Sequence, residues 1–436
     1  MTKPGTVGRS SKRPTVPMAR VRMLTPLRNR NFALLWAGMT VSLLGDGIYF
    51  VAVIWETLRL SDTAMAVSLV GLAWTLPMVG FLLLGGTLSD RVERRRVLLW
   101  ASLVQALAIG AIGILETTAA IQLWSLLLLV ALYGAAQAFF LPAFEAVIPM
   151  LVSPDQLAEA SALDQFVRPL SFQLVGPALG GVLIAVAGTG AAFLLDAGTF
   201  VVAVATLLVM RLPRNATAPA PGTLDGLRQG IRFVLANPWL WRTLLAASLT
   251  VLLFWGPYQV LLPFLVKNEL HSGSATLGLI RALGGVGALL AALAVSQRGL
   301  PGWAMRAMLA GWALQSLTLA GYALAREAWL FAAISLAGGA FSALANVIWG
   351  TLMKTRVPNH LLGRVASLDW LVSIALVPLS FALTGPVAGL IGPRATLLGG
   401  GVLAAGTMIT VMLMSGTRPS ESPPQRRSVR TVAGAS

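Results

Sequence analysis

Asp46 stands inside a long apolar run, in the string SLLGDGIYF, well away from either end of it. A carboxylate at bilayer depth costs at least about 2.5 kcal/mol on insertion scales, so it must face a cavity or a partner. It is therefore a candidate for reversible protonation or for substrate contact. At helical spacing Ser42, Asp46 and Tyr49 share one face and form a polar stripe. A purely structural role, as a hydrogen-bonding acid flanked by Gly45 and Gly47, fits the same residues.

Other ionisable residues interrupt apolar stretches. Asp164 and Arg168 are four apart, so they pair on one helical face and lower each other's cost of burial, either permanently or as a gate that breaks in one state. Asp369 has Ser373 at the corresponding position and needs a different partner. Arg281, near one end of its run, could meet Asp46 across a cavity, and Asp196 reads as a polar group in helix packing. Between two apolar runs lies GGTLSDRVERRR, residues 85–96, with Gly85 and Gly86 small enough for close helix approach. Its Asp90 and Arg94 are four apart, and its arginines also fix topology.

No catalytic set is present. A Gly-x-x-x-x-Gly-Lys-Ser/Thr loop is missing, so ATP is not the expected energy source. There is no cysteine, and His271 and His360 are too far apart to suggest a metal, so neither a metal nor a cofactor is expected.

These residues need membrane helices to position them. Of 436 residues, 56% are hydrophobic and 11% charged, against about 25% charged in a soluble domain. A crossing takes about 20 mainly apolar residues. Twelve such runs lie near 32–55, 64–88, 97–115, 121–149, 161–187, 190–210, 243–266, 275–296, 304–324, 328–353, 365–390 and 395–414. The expectation is an all-α membrane protein of twelve crossings: a tail over 1–30, a first bundle over 31–210, a linker over 211–242, a second bundle over 243–415 and a tail over 416–436. In the linker Leu227, Ile231, Val234 and Leu235 recur at helical spacing, as in a helix lying on the membrane surface. Trp36, Trp55, Trp100, Trp124, Trp303 and Trp329 fall near run ends, as in an aromatic belt.

The net charge of +16 raises nucleic acid as a partner, but the positions of the basic residues answer it. With the N-terminus inside, the cytoplasmic segments hold most Lys and Arg, including Arg20 to Arg30, Arg91 to Arg96, Lys354, Arg356 and Arg364. The outer loops hold Arg59, Lys267, Arg326 and Arg394. Orientation thus accounts for the charge, and nucleic acid is not needed. Both termini are expected in the cytoplasm, the protein in the plasma membrane, and the N-terminal tail to precede a signal-anchor helix. For the same reason the sequon at Asn215, on the cytoplasmic side, is not expected to be glycosylated.

The halves echo each other. AVIPMLVSPDQLAEASALD and NVIWGTLMKTRVPNHLLGRVASLD each end on an acid, Asp164 or Asp369. Each is followed by Gly-Pro-x-x-Gly, at Gly176, Pro177 and Gly180 and at Gly385, Pro386 and Gly389. Parallel six-helix repeats imply two bundles with a substrate site between them.

Twelve runs, a 6+6 repeat and GGTLSDRVERRR together resemble the major facilitator superfamily. Gly86, Asp90, Arg91, Arg94 and Arg95 match that family's loop signature, while Glu93 stands where glycine is usual. The resemblance implies an inner gate built from this loop, with Glu145 as its acid. VGPALGG, with Gly176, Pro177, Gly180 and Gly181, is similar to the family's antiporter motif, which implies export coupled to protons. Strings such as RNRNFALLWAGMTVSLLGDGIYFVAV look like the macrolide and enterobactin-type efflux branch. The expected function is proton-coupled efflux of an apolar or amphipathic small molecule by a monomer in contact with membrane lipid. Uptake symport, lysolipid translocation and a non-transporting receptor stay open beside it.

Overall fold

Among the described residues, every regular element is a helix. The computed structural model describes residues 22–153, 156–211, 224–299 and 301–414. Most of the expected N-terminal tail, the Asn215 sequon and the tail from residue 415 lie outside them.

The helices are α1 (Arg30–Leu60), α2 (Ala64–Arg91), α3 (Arg94–Thr117), α4 (Leu123–Leu151), α5 (Leu157–Arg168), α6 (Gly176–Val209), α7 (Leu224–Ala236), α8 (Pro238–Asn268), α9 (Ser274–Arg298), α10 (Ala304–Leu324), α11 (Ala328–Arg356), α12 (Asn359–Ala375), α13 (Val377–Ile391) and α14 (Pro393–Leu413). The starts of α1 and α2 follow from side-chain capping. Asn29 Oδ1 accepts from the amides of Asn31 and Phe32 at 3.0 and 3.3 Å, and Thr63 Oγ1 accepts from that of Ala66 at 3.2 Å. Pro169–Val175 is wound as a π-helix and joins α5 to α6 without a break.

Among the described residues, eleven stretches are long and apolar enough to cross a bilayer. One of them, Glu159–Val209, has 51 residues and would be about 76 Å long as one helix, against a hydrocarbon core of about 30 Å. It is interrupted at Gly188, whose φ of 83° and ψ of 172° suit glycine and end helical winding. The sequence places a boundary between 187 and 190, and the break falls there.

Apolar side chains also cover the outside. Leu83, Val186, Leu390 and Leu413 are exposed, as lipid-facing residues are. Trp100, Trp124, Trp303 and Trp329 are exposed near helix ends, as a belt requires, but Trp36 is buried and stacks on Phe32 with centroids 5.4 Å apart. In α7, Val234 packs with Leu240, Met353 and Val365, whereas Ile231 and Leu235 are exposed. The expected apolar face is therefore divided between protein and exterior.

The basic residues Arg94, Arg95, Arg96, Arg211, Lys354, Arg356 and Arg364 mark one end of the bundle, called the basic end below. The α1–α2 and α8–α9 turns mark the opposite end. The core differs between the two. Toward the opposite end, residues of both halves form a single core, with Ile54, Leu58, Val130 and Phe193 beside Leu262, Leu265, Leu277 and Phe331. Toward the basic end, Trp36, Phe144 and Leu207 form one core, and Met308, Ile348 and Met408 form another.

Candidate functional site

Asp46 lies within the N-terminal half, half-buried, on the wall of a cavity of about 50 Å³. Ser42, Gln105, Gln137, Arg168 and Phe200 also line it, from α1, α3, α4, α5 and α6. That space holds a few water molecules and no drug-sized compound. Tyr133 on α4 donates its hydroxyl to Asp46 Oδ1 at 2.7 Å. Tyr49 packs against Tyr133 with centroids 4.9 Å apart, and its own buried hydroxyl has no hydrogen-bond partner. Asp196 on α6 is fully buried. Its Oδ1 accepts from Thr199 at 3.1 Å, while Oδ2 has no partner. Gly45 makes room for it, since a Cβ there would lie 2.1 Å from Asp196 Oδ1. Two carboxyl groups thus flank one stretch of α1.

Arg281 on α9 does not contact Asp46. Its guanidinium lies over Phe50 and Tyr258, 5.2 and 5.7 Å from the ring centroids, and Nη2 donates to Gln259 Oε1 at 3.0 Å. The two charges occupy separate sites in separate halves. Asp164 and Arg168 do pair, at 3.1 Å. Asp369 finds the partner its sequence context lacks in Trp349, whose Nε1 donates to it at 3.0 Å.

The Gly-Pro-x-x-Gly-Gly string packs on two neighbours. A Cβ on Gly176 would lie 2.7 Å from Gly47 Cα on α1, and one on Gly181 would lie 2.7 Å from Ser274 O and 2.9 Å from Gly278 Cα on α9. Gly176 and Gly180 thus face the same half, and Gly181 faces the other. Pro177 reaches across as well, its carbonyl lying 2.5 Å from where a Cβ on Gly278 would sit. Further contacts join the halves at the opposite end. Lys267 Nζ donates to Leu58 O at 2.5 Å and pairs with Asp62 at 3.1 Å, and Asn268 Nδ2 donates to Asp62 Oδ1 at 3.0 Å. Burial pushes the Asp62 carboxyl up, but the Asn268 and Lys267 hydrogen bonds and the Lys267 charge outweigh it and hold the carboxyl below its usual range. The bonds favouring its charged form are present above the ordinary aspartate range and are lost as pH falls through the lowered value.

The loop at 85–96 behaves differently. Arg94 Nη1 donates to Ala146 O at 3.0 Å, and Arg95 donates to Leu207 O and Leu208 O at 2.7 and 2.6 Å. Arg96 pairs with Glu93 at 3.0 Å, so the residue that replaces the family's glycine holds an arginine. These described contacts all stay within the N-terminal half. Glu145 forms no ion pair with Arg94 or Arg95 and is exposed instead. A Cβ on Gly85 would lie 2.2 Å from Ala138 O, whereas one on Gly86 would meet nothing within 4 Å, so Gly85 makes the close approach and Gly86 does not. Asp90 and Arg91 end α2, and their side chains, like that of Arg298, lie outside the described ones.

Sequence reasoning missed Tyr133, the Asp62–Lys267 latch and a cluster at the opposite end. There buried Glu56 pairs with Arg59 at 2.7 Å, and Thr189 Oγ1 lies 2.7 Å from Glu56 Oε2 and 3.0 Å from Glu116 Oε1. One signal was available for the first. The chain has only 4 tyrosines, and they form two pairs, Tyr49 with Tyr133 near Asp46 and Tyr258 with Tyr322 near Arg281.

Comparison with known proteins agrees with this architecture. The family model of transmembrane secretion effectors, MFS_3, matches residues 21–427. The multidrug efflux pump Tap of Mycolicibacterium fortuitum is 30% identical over 387 residues, which cover 84% of this chain and 90% of Tap. Macrolide efflux protein A of Streptococcus pyogenes is 24% identical over 85% of this chain and 93% of its own length. The enterobactin exporter EntS of Citrobacter koseri is 29% identical over 88% and 92%. Among solved structures, a bacterial homologue of the iron transporter ferroportin in an inward-facing state matches with a TM-score of 0.65 at 19% identity, covering 88% of this chain and 99% of that one. At that identity the likeness speaks for the fold alone.

Proposed function

The chain belongs to the transmembrane secretion effectors of the major facilitator superfamily, and from that membership we propose that it is a proton-driven exporter of an apolar or amphipathic small molecule. In this reading the break at Gly188 makes twelve crossings of the eleven stretches, in bundles over 31–210 and 243–415 joined by the linker 211–242. The basic end faces the cytoplasm, with both termini, because arginine and lysine stay on that side.

The observation that carries the proposal is the unequal core. The halves share one core toward the outer end and have separate cores toward the inner end. That is the arrangement of an alternating-access carrier open to the cytoplasm, with Arg94 and Arg95 held within their own half until the inner end closes. Asp46 is the proton-coupling acid, reached by water through its cavity and steadied by Tyr133. Asp90, Arg91, Arg94, Arg95 and Glu145 are the inner-gate residues, and Gly176, Pro177, Gly180 and Gly181 keep the outer seal tight. The names of the relatives support export, of drugs by Tap, macrolides by the Streptococcus protein and enterobactin by EntS.

The test uses the absence of native cysteine. Asp62→Cys and Asn268→Cys are combined and joined with a short cleavable thiol cross-linker, in cells selected for efflux from a compound panel in a pump-deficient host. Cross-linking is expected to stop efflux, and cleavage to restore it. Undiminished efflux by fully cross-linked protein would overturn alternating access through this seal.

A further inference from the structure

Arg281 is a cation without an anion. Among the described residues no carboxylate lies within ion-pair distance, and its one hydrogen bond is to a neutral amide, Gln259 Oε1. Its Nε is buried and has no acceptor. A guanidinium keeps its charge at any physiological pH and offers a planar fork of donors, so it cannot relieve this burial by releasing a proton. Arg168, by contrast, has Asp164 at 3.1 Å.

The surroundings are aromatic and come from both halves. Phe50 of the N-terminal half and Tyr258 of the C-terminal half lie against the guanidinium. Phe50 in turn meets Trp74 and Phe172 edge-on, with centroids 5.8 and 5.9 Å apart. Phe50, Trp74, Phe172 and Tyr258 are half-buried, which for rings deep between helices means that they face open space. A narrow cleft of about 30 Å³, lined by Phe50, Trp74, Gln259 and Phe381, lies beside them between the halves, so a ring system enters it only as the halves move apart. The cleft is walled by side chains of the shared core, and the Lys267–Asp62 latch joins the halves at the opposite end.

We propose that this chamber is the substrate-recognition site and that Arg281 selects an aromatic organic anion, with the ring stacked among Phe50, Trp74 and Tyr258 and the acidic group on the free guanidinium donors. A carboxylate or sulfonate supplies the missing charge and accepts from the fork in its plane. Apolar ring surface fills the rest, and a cationic compound is disfavoured because it would bring like charge to a site without a counter-ion. The inference rests on the exporter reading for its physiological meaning, but binding is measured without transport.

The experiment is equilibrium binding to purified full-length protein in lipid nanodiscs, read by tryptophan fluorescence and calorimetry. The probes are naphthoate, its methyl ester and naphthylmethylammonium, each with wild type, Arg281→Gln and Arg281→Lys. Wild type is expected to bind naphthoate about tenfold or more tighter than either other probe. Arg281→Gln should abolish that preference and leave ester binding unchanged, which also reports an intact fold. Arg281→Lys should keep the sign of the preference and lose part of its size, because ammonium lacks the planar fork. Equal binding of the three probes by wild type, no naphthoate binding, or an anion preference that survives in Arg281→Gln would each overturn the proposal. If wild type selects naphthoate but liposomes show no proton-driven movement of any compound, the exporter reading fails and the binding site stands.

Discussion

Asp46 and Arg281 sit in opposite halves, each beside a pair of tyrosines, and the protein treats the two charges differently. The carboxylate is answered from within the protein by the Tyr133 hydroxyl, and its cavity has room for a few waters. The guanidinium is given rings and one amide, and no acid. A carboxyl can change its charge by taking a proton, whereas a guanidinium cannot. The difference suggests a division of labour: the first centre gains and loses a proton, and the second waits for an anion that enters and leaves. Between them run α1 and the π-wound Pro169–Val175, the latter carrying Phe172 to Phe50, so the two centres share structural neighbours.

The comparison can be broken at several points. The largest effect is expected where the halves meet. Gly181→Val places a side chain against Ser274 O and Gly278 Cα, and overpacking of this kind costs about 1–3 kcal/mol. Thermal unfolding should show the loss, together with weaker efflux as the outer seal fails to close around the second centre. Next is Tyr133→Phe. It removes a hydrogen bond to a charged group, and a reduction of about tenfold in proton-driven efflux is expected, with naphthoate affinity unchanged. If Tyr133→Phe alters naphthoate binding as much as efflux, the two centres are not separable. Asp62→Asn should change efflux less than about fivefold, because its ion pair is largely solvated. The smallest effect is that of Tyr49→Phe. Its hydroxyl has no partner, so efflux within twofold of wild type, about the scatter of such assays, is expected in spite of its place beside Tyr133.

Much of the frame was legible because it depends on local composition. The apolar runs, the break near residue 188 and the small residues at 176–181 are written in consecutive letters; among the described residues the structure carries eleven crossing-length stretches, a non-helical Gly188 and close packing at Gly176, Gly180 and Gly181. Asp46 stood out for the same reason, as a charge in an apolar run. Its partner did not, because Tyr133 lies 87 residues away on α4 and no spacing rule connects them. The latch from Lys267 to Asp62 spans 205 residues and joins two turns that look unremarkable alone. The expected Asp46–Arg281 contact failed for a physical reason. Opposite charges attract in projection along the membrane, but Asp46 is turned toward α4, and Arg281 is held by rings and Gln259. Gly86 shows the same limit at short range: two adjacent glycines read alike, but only the Cβ position of Gly85 is filled by a neighbour. Trp36, near the end of its run, packs inward on Phe32 because α1 is largely enclosed.

The most direct test of the central claim is substrate movement in proteoliposomes with wild type and Asp46→Asn, measured with and without an imposed pH gradient. The account predicts that Asp46→Asn still exchanges substrate down its own gradient, since the Arg281 chamber is untouched, but no longer accumulates it when a pH gradient is applied. Accumulation by Asp46→Asn equal to that of wild type under the same gradient would contradict it.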